Sequence, residues 1–155
     1  MGPLESVVRA ISDKKLAANL VVVSGRNQQL RQHLQSLEWN VPVKVYGFVR
    51  EMPAFMRASD VLITKAGPGT ISEAFIAGLP LILYHRLPGQ ETGNVDYVVD
   101  NGAGIWAPEP QKIAGVLETW LNDPVILKRF ADASAHLARP QAARQIARRL
   151  VEFSR

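Results

Sequence analysis

The sequence of 155 residues contains no cysteine, which excludes a disulfide framework, catalysis by a thiolate and a zinc site built on cysteine ligands. It also has no apolar run long enough to cross a bilayer. Charges at Glu5, Arg9 and Asp13 interrupt the N-terminal segment, so this segment does not have the pattern of a signal peptide. We therefore expect a cytoplasmic protein. A hydrophobic content of 47% suits one ordinary globular domain.

Motifs for metal-dependent or nucleophilic catalysis are missing as well. The three histidines, His33, His85 and His136, are scattered along the chain. There is no H-E-x-x-H, no paired D-x-D, and no G-K-S/T after the glycines that would make a P-loop. The sequence therefore predicts no metal and no other cofactor, and it leaves the catalytic residues unknown.

Basic residues outnumber acidic ones, 18 against 14, and the excess lies largely near the C-terminal end. The residues concerned are Lys128, Arg129, Arg139, Arg144, Arg148, Arg149 and Arg155. One explanation is a solvated helix face; the other is a surface that meets anionic lipid. No aromatic residues interleave with these charges, so we do not expect nucleic acid as a partner. A protein peripheral to a membrane is the expectation that follows.

Short apolar runs alternate with helical patterns along the chain. Strands are expected at 20–23, 43–46, 61–63, 81–84 and 104–106. Helices are expected at about 51–57, 70–78, 94–102, 110–121, 124–137 and 140–153. Two further helices are expected from apolar residues at helical spacing, one with Leu4, Val7, Val8 and Ile11 near the start of the chain and one with Leu30, Leu34 and Leu37. Continuous apolar strands that alternate with helices predict an α/β fold, a Rossmann-like parallel sheet with helices on both faces. No strand precedes the first helix, although an α/β domain would normally have one. We therefore expect a fragment whose first strand is missing.

The stretch from Asp60 to Pro80 is the most informative part of the sequence. An apolar run leads into the turn Ala66-Gly-Pro-Gly, after which Thr70 is expected to open a helix. The free amides and the dipole of a helix N-terminus bind phosphate, and glycines allow close approach. Two alternatives stay open. Thr70 and Glu73 match a capping box, and Gly67-x-Gly69 matches part of a dinucleotide fingerprint, although its third glycine and its acidic residue are missing.

Other polar segments follow the remaining strands, and ligands bind at the carboxyl ends of parallel strands. Glu73, one turn inside the same helix, could accept hydrogen bonds from ribose hydroxyls. Phe48 could stack on a base, with core packing as the alternative. Gln90, Glu91 and Asn94 offer donors and acceptors that fit sugar hydroxyls, with a solvated loop as the alternative. These residues predict a nucleotide-sugar site.

Four segments together resemble the monogalactosyldiacylglycerol synthases and the related peptidoglycan N-acetylglucosaminyltransferases that make lipid II. They are Tyr46-Gly-Phe-Val, Lys65-Ala-Gly-Pro-Gly-Thr-Ile-Ser-Glu-Ala, Gly78-Leu-Pro and Gly89-Gln-Glu-Thr-Gly-Asn-Val. The resemblance runs in order from Met1 to about Leu121. It implies that residues 1–155 are the nucleotide-sugar-binding C-terminal domain of a two-domain GT-B glycosyltransferase, and that the N-terminal acceptor domain is absent.

The resemblance also implies a role for each candidate residue. The positions that it assigns to the diphosphate are Gly25, Arg26, Gly67, Pro68, Gly69 and Thr70. It assigns Glu73 to the ribose, and Phe48 and the Val49 backbone to the uracil. The sugar would be bound by Gln90, Glu91 and Asn94.

The reaction implied is inverting transfer of galactose or glucose from a UDP-hexose to diacylglycerol without a metal. The expected partners are this donor and, through the absent domain, the diacylglycerol acceptor, so the fragment alone should be inactive. Two other functions stay open: a non-catalytic donor-binding subunit of a two-chain UDP-sugar glycosyltransferase, and an NAD-binding module.

Overall fold

The computed structural model describes residues 3–153, so Met1, Gly2 and Arg155 of the sequence predictions lie outside the described residues. The elements in chain order are α1 (Pro3–Asp13), β1 (Leu20–Val23), α2 (Gln28–Ser36), β2 (Val43–Tyr46), α3 (Met52–Arg57), β3 (Leu62–Lys65), α4 (Pro68–Ala77), β4 (Leu81–His85), α5 (Thr92–Asp100), β5 (Gly104–Trp106), α6 (Pro110–Asn122), α7 (Pro124–His136) and α8 (Ala142–Phe153). All five predicted strands are confirmed within two residues at either end.

The strands are parallel, as predicted, but they form two sheets. β1 pairs with β2, and Leu20 lies opposite Val43. β4 lies between β3 and β5, with Leu81 opposite both Leu62 and Gly104. Within the described residues β1 and β3 do not pair with each other, so the single continuous sheet that the sequence predicted is divided at this point.

Helices cover both faces of the sheets, which confirms the predicted layers. On one face of β4, Ile82 packs with Ile113 of α6 and Ile11 of α1. On the other face, Leu83 packs with Phe75 of α4. Each such side chain contributes about 1.5–3 kcal/mol when it is fully removed from water. A separate cluster of Val8, Val22 and Leu34 joins α1 and α2 to the smaller sheet.

Three helix starts differ from the sequence predictions. α4 begins at Pro68 instead of Thr70, because proline is already fixed near the helical φ and loses no hydrogen bond at the first helical position. α5 begins at Thr92, before the predicted Asn94, and α8 begins only at Ala142. α4 ends at Gly78 as predicted, with φ of 69° in the left-handed region. Between residues 3 and 153 no helix is both long and apolar enough to span a membrane.

Candidate functional site

The N-terminus of α4 presents unpaired amides. Gly67 is the N-cap residue, and no side chain caps the helix, so the Thr70–Glu73 capping box considered from the sequence does not form. The first helical bond runs from the Ile71 N–H to the Gly67 carbonyl, at 3.1 Å. Pro68 has no N–H, which leaves Gly69 and Thr70 with amides that have no hydrogen-bond partner in the described chain. The sequence predicts amide donors within the segment from Gly67 to Ile71; the Gly69 and Thr70 N–H groups are available for a ligand, and the Ile71 N–H is not.

The residue before this turn is fixed from two sides. Ala66 is fully buried; its N–H donates to the His85 carbonyl at 2.8 Å, and its carbonyl accepts from Asn94 Nδ2 at 2.8 Å. The Asn94 side-chain nitrogen is therefore engaged within the protein, and the Asn94 side-chain oxygen has no hydrogen-bond partner in the described chain. This double attachment holds the start of α4 against the loop after β4.

The loop between β4 and α5 folds back toward the same turn. Glu91 is half-buried, and its Oε2 accepts a bond of 2.8 Å from the Leu87 N–H. Its Oε1 lies 4.0 Å from the point that a Cβ on Gly67 would occupy. Gln90 is exposed. Glu91 and Asn94 thus lie beside the glycine turn, whereas Gln90 reaches into solvent.

A cavity of about 420 Å³ brings three predicted site residues together. Gly25, Thr70 and Glu73 all line it. Glu73 lies one turn after Thr70 on α4, with an exposed side chain. Gly25 has φ of 62°, a left-handed conformation that glycine adopts without strain, so the chain turns sharply at the end of β1. The turn after β1 and the start of α4 therefore face a common space, as the topology predicted.

Phe48 and Arg26 contact each other at the edge of this region. The guanidinium carbon of Arg26 lies 5.3 Å from the centroid of the Phe48 ring. Phe48 is 62% exposed, so the core-packing alternative for this residue was wrong. Val49 is half-buried. A Cβ on Gly47 would lie 3.5 Å from the Gly25 carbonyl oxygen, which shows that the loops after β1 and β2 are neighbours.

Three residues of this region escaped the sequence analysis. Thr64 and Tyr84 line the same cavity, near the carboxyl ends of β3 and β4. Burial raises the pKa of the Tyr84 hydroxyl above its usual value of 10.0. Arg31 extends its guanidinium to Gly47, with Nη1 3.4 Å from the glycine Cβ position. Thr64 and Tyr84 could have been predicted as site residues from their positions near the carboxyl ends of predicted strands. Nothing in the sequence indicates that Arg31, which lies on a helix, reaches this region.

The arrangement suits an anionic ligand. Two free amides and the positive end of the α4 dipole lie at the helix start, where Thr70 lines the cavity. Arg26 lies on the loop after β1, and Arg31 of α2 reaches Gly47 on the loop after β2. In residues 3–153 no group of three or more acidic or histidine side chains is placed to hold a metal ion. Through its fixed N–H donors, this arrangement can bind an anionic group and stabilise its negative charge.

Comparison with known sequences extends these observations. The family model described as "Glycosyltransferase family 28 C-terminal domain" matches residues 4–146. A probable monogalactosyldiacylglycerol synthase 2 of Oryza sativa subsp. japonica is 48% identical over 150 residues, 92% of this chain and 32% of the relative. Monogalactosyldiacylglycerol synthase 1 of Arabidopsis thaliana is 40% identical over 163 residues, 100% of this chain and 31% of the relative. The chain thus spans about a third of the length of the curated relatives it matches.

Comparison with solved structures gives the same fold. MurG of Acinetobacter baumannii superposes with a TM-score of 0.72 at 22% identity, over 94% of this chain and 46% of MurG. The glycosyltransferase VinC, solved in complex with DTDP, gives 0.65 at 20% identity, over 84% of this chain and 31% of VinC. The predicted resemblance and the predicted fold, the C-terminal half of a GT-B glycosyltransferase, are confirmed by these matches.

Proposed function

The chain belongs to the glycosyltransferase family 28 C-terminal domain family, and we propose that it binds the UDP-hexose donor for transfer of galactose or glucose to diacylglycerol. The names of the synthase relatives supply the proposed acceptor. The observation that carries the proposal is the pair of unpaired amides at Gly69 and Thr70, at the helix start where Thr70 lines the same cavity as Gly25 and Glu73. Residues 1–155 would act as the donor domain, and the acceptor would be held by a separate domain.

The diphosphate would lie at the N-terminus of α4. In an inverting transfer, the acceptor hydroxyl attacks the anomeric carbon from the face opposite UDP, and negative charge grows on the departing diphosphate. The N–H groups of Gly69 and Thr70 are already oriented by the helix, so they stabilise this charge without reorganisation. Gly25 and Arg26 would approach the diphosphate from the end of β1. No step requires a metal ion.

The nucleoside and the sugar would extend to either side of the diphosphate. Glu73, exposed on α4 and lining the cavity, would accept from the ribose hydroxyls. Uracil would stack on the exposed Phe48 ring, beside the Val49 backbone. The Arg26 guanidinium lies over this ring, so it would have to move away or stay on the face of the ring opposite the uracil.

The sugar would lie near the loop between β4 and α5. Gln90 would bind sugar hydroxyls from the solvent side, and Glu91 and the side-chain oxygen of Asn94 from beside the glycine turn. Because the Asn94 nitrogen donates to the Ala66 carbonyl, the side-chain oxygen is the atom through which Asn94 would contact the sugar.

Isothermal titration calorimetry of the 155-residue chain tests the donor proposal. UDP, UDP-galactose, UDP-glucose and NAD are titrated in turn, in buffer that contains EDTA. We expect UDP and at least one UDP-hexose to bind and NAD to give no heat of binding. Binding of NAD without binding of UDP would overturn the proposal and restore the NAD-binding alternative.

An anionic membrane is the proposed second partner, through α8. None of the described residues of α8 is buried, and Arg144 and Arg148 are exposed. Ile146, Leu150 and Phe153 are exposed large apolar side chains on the same helix. Basic and apolar residues together on an exposed helix suit the interface of an anionic bilayer.

Flotation with vesicles tests this membrane contact. Replacing Arg144, Arg148 and Arg149 with glutamine should lower binding to vesicles that contain phosphatidylglycerol, by about 1 kcal/mol per charge lost, and should leave UDP binding unchanged. The matched control replaces Lys128 and Arg129, which are exposed on α7. Equal losses for the two variants would show a general charge effect and contradict an interface at α8.

A further inference from the structure

The guanidinium of Arg26 contacts the ring of Phe48. Its central carbon lies 5.3 Å from the ring centroid, which is the geometry of a cation–π contact. Both side chains are exposed, and Phe48 is 62% open to solvent. Between residues 3 and 153 the guanidinium has no hydrogen-bond acceptor and no carboxylate partner. Its five N–H donors are therefore available to an anion.

Arg26 lies between the proposed positions of the base and the diphosphate. Gly25, the residue before it, has its carbonyl oxygen 3.5 Å from the point that a Cβ on Gly47 would occupy, beside Phe48 in the loop after β2. Gly25 also lines the cavity that Thr70 lines at the start of α4. A nucleotide that extends from Thr70 to Phe48 must therefore pass the turn that carries Arg26.

The backbone that carries this contact is anchored. Ser24 donates to the Tyr46 carbonyl through its N–H at 2.9 Å and through its hydroxyl at 3.0 Å. Asn27 caps α2 by accepting a bond of 2.9 Å from the Leu30 N–H. These bonds fasten the turn after β1 to the end of β2 and to α2. The guanidinium of Arg26 can therefore leave the ring by rotation of its side chain, without a movement of the loops.

Two contacts compete for the exposed ring. A nucleobase stacked on an aromatic side chain contributes more than a cation–π contact at a solvent-exposed site. The guanidinium in turn gains more from hydrogen bonds to a phosphate than from the ring, because both partners of those bonds are charged. A nucleoside diphosphate therefore favours the displaced guanidinium through both of its parts, whereas a nucleoside or an inorganic anion favours it through one.

We propose that the nucleobase of the donor takes the ring face that Arg26 covers in the free protein, and that the displaced guanidinium binds the diphosphate of the same molecule. This inference rests on the donor site proposed above. Entry of the base makes Arg26 available to the diphosphate, so the two parts of the nucleotide strengthen each other's binding. The site would thereby prefer nucleoside diphosphates to inorganic phosphate and diphosphate, which have no base to release the arginine.

Titrations of uridine and UDP into the 155-residue chain and its Arg26→Gln variant test the exchange. Ligand-detected NMR measures the Kd of uridine, and calorimetry measures the Kd of UDP. We expect Arg26→Gln to lower the Kd of uridine about two- to fivefold, because uridine no longer has to break a cation–π contact. We expect the same variant to raise the Kd of UDP about threefold or more, because the lost bonds to phosphate outweigh that gain.

The opposite signs separate this proposal from two simpler arrangements. If Arg26 stayed on one face of Phe48 and the base stacked on the other, Arg26→Gln would weaken uridine and UDP alike. If Arg26 bound the diphosphate without competing for the ring, the variant would weaken UDP and leave uridine unchanged. Either result would overturn the proposal, and so would the absence of uridine binding to both proteins, because Phe48 would then offer no place for a base.

Two further variants examine the charge and the ring separately. Arg50→Gln removes an exposed arginine from the same loop as Phe48, and it should leave the Kd of uridine unchanged. Phe48→Leu removes the ring, and it should lower the Kd of inorganic diphosphate about two- to fivefold, because the guanidinium is already free. Equal effects of Arg50→Gln and Arg26→Gln on uridine would contradict the exchange, and so would an unchanged affinity of Phe48→Leu for inorganic diphosphate.

Proton NMR of the Arg26 side chain follows the exchange directly. In the free protein the ring current of Phe48 should shift the Arg26 side-chain protons relative to those of Phe48→Leu, and saturating UDP should abolish this difference. A shift that persists in saturating UDP would overturn this inference and leave the donor proposal intact. A wild-type chain that binds no UDP would overturn the donor proposal and this inference together.

Discussion

Replacing Thr70 with proline removes a single proposed donor to the diphosphate. The Thr70 N–H lies in the first turn of α4 and has no partner within the helix, so proline deletes no helical hydrogen bond. The bond from Ile71 to Gly67 remains available. The ring of proline clashes with the N–H and the Cβ of the residue before it, and here that residue is Gly69, whose missing Cβ reduces the restriction. The fold should therefore survive the substitution.

The expected loss follows from the strength of a charge-assisted hydrogen bond. Such a bond contributes about 1.5–3 kcal/mol net, and about 1.4 kcal/mol corresponds to a tenfold change in Kd. If the Thr70 N–H donates to a phosphate oxygen, Thr70→Pro should raise the Kd of UDP by a factor of about 10 to 150. Uridine, which has no phosphate, should bind equally to both proteins.

Calorimetry with UDP measures this loss, and Thr70→Ala is the matched control because it removes the hydroxyl and keeps the amide. We expect Thr70→Ala to bind UDP much more tightly than Thr70→Pro. Circular dichroism and the melting temperature must show that both variants are folded. A folded Thr70→Pro that binds UDP as tightly as the wild type would refute the diphosphate site at the start of α4.

Three further substitutions examine the rest of the site. Glu73→Ala should raise the Kd of UDP about tenfold and leave the Kd of 2′,3′-dideoxy-UDP unchanged. If calorimetry shows that both ligands lose affinity equally, Glu73 does not bind the ribose hydroxyls. The substitution removes no helix-capping hydrogen bond, so a change in affinity is not due to a lost cap. Asn94→Ala should cost about 1–3 kcal/mol of stability in urea unfolding, because it leaves the Ala66 carbonyl unpaired. It should weaken UDP, and UDP-galactose more strongly because the sugar also loses the Asn94 oxygen, whereas Gln90→Ala should weaken UDP-galactose alone. Equal losses of UDP and UDP-galactose for Asn94→Ala would exclude the sugar contact at Asn94. Because the pKa of Tyr84 is raised in the folded state, the folded protein keeps the hydroxyl proton to higher pH than the unfolded chain does. The free energy of unfolding should therefore be unaffected below pH 10 and should fall above it, by at most about 1.4 kcal/mol per pH unit. Urea unfolding of Tyr84→Phe should lack this part of the decline, and a decline equal to that of the wild type would contradict the raised pKa.

The sequence predicted the strands well because their signal is local. Leu20–Val23 and the first three residues of β4 (Leu81, Ile82 and Leu83) are continuous apolar runs, which is the pattern of strands in a sheet covered on both faces. The phosphate turn was found for the same reason, since Gly67 and Gly69 stand beside a helix start. Features that depend on neighbours in sequence were therefore predictable to within about two residues.

Features that depend on distant contacts were not. The bond from Asn94 to Ala66 joins residues 28 apart, and nothing in either residue type reveals it. Arg31 reaches Gly47 only because the loops after β1 and β2 meet. The contact between Arg26 and Phe48 also follows from this meeting of loops. Periodicity assigns a residue to an element, but it does not say which loops become neighbours.

The division of the sheet bears directly on the donor site, because the proposed ligands lie on both sides of it. Gly25 follows β1 in the smaller sheet, and Thr70 follows β3 in the larger one. No backbone pairing fixes the distance between these two sheets in the described chain. Two helices join them. α1 packs Val8 with the smaller sheet and Ile11 with the larger one, and α3 places Phe55 against Tyr46 of β2 and Met56 against Leu81 of β4. The geometry of the diphosphate site therefore depends on side-chain packing against these two helices.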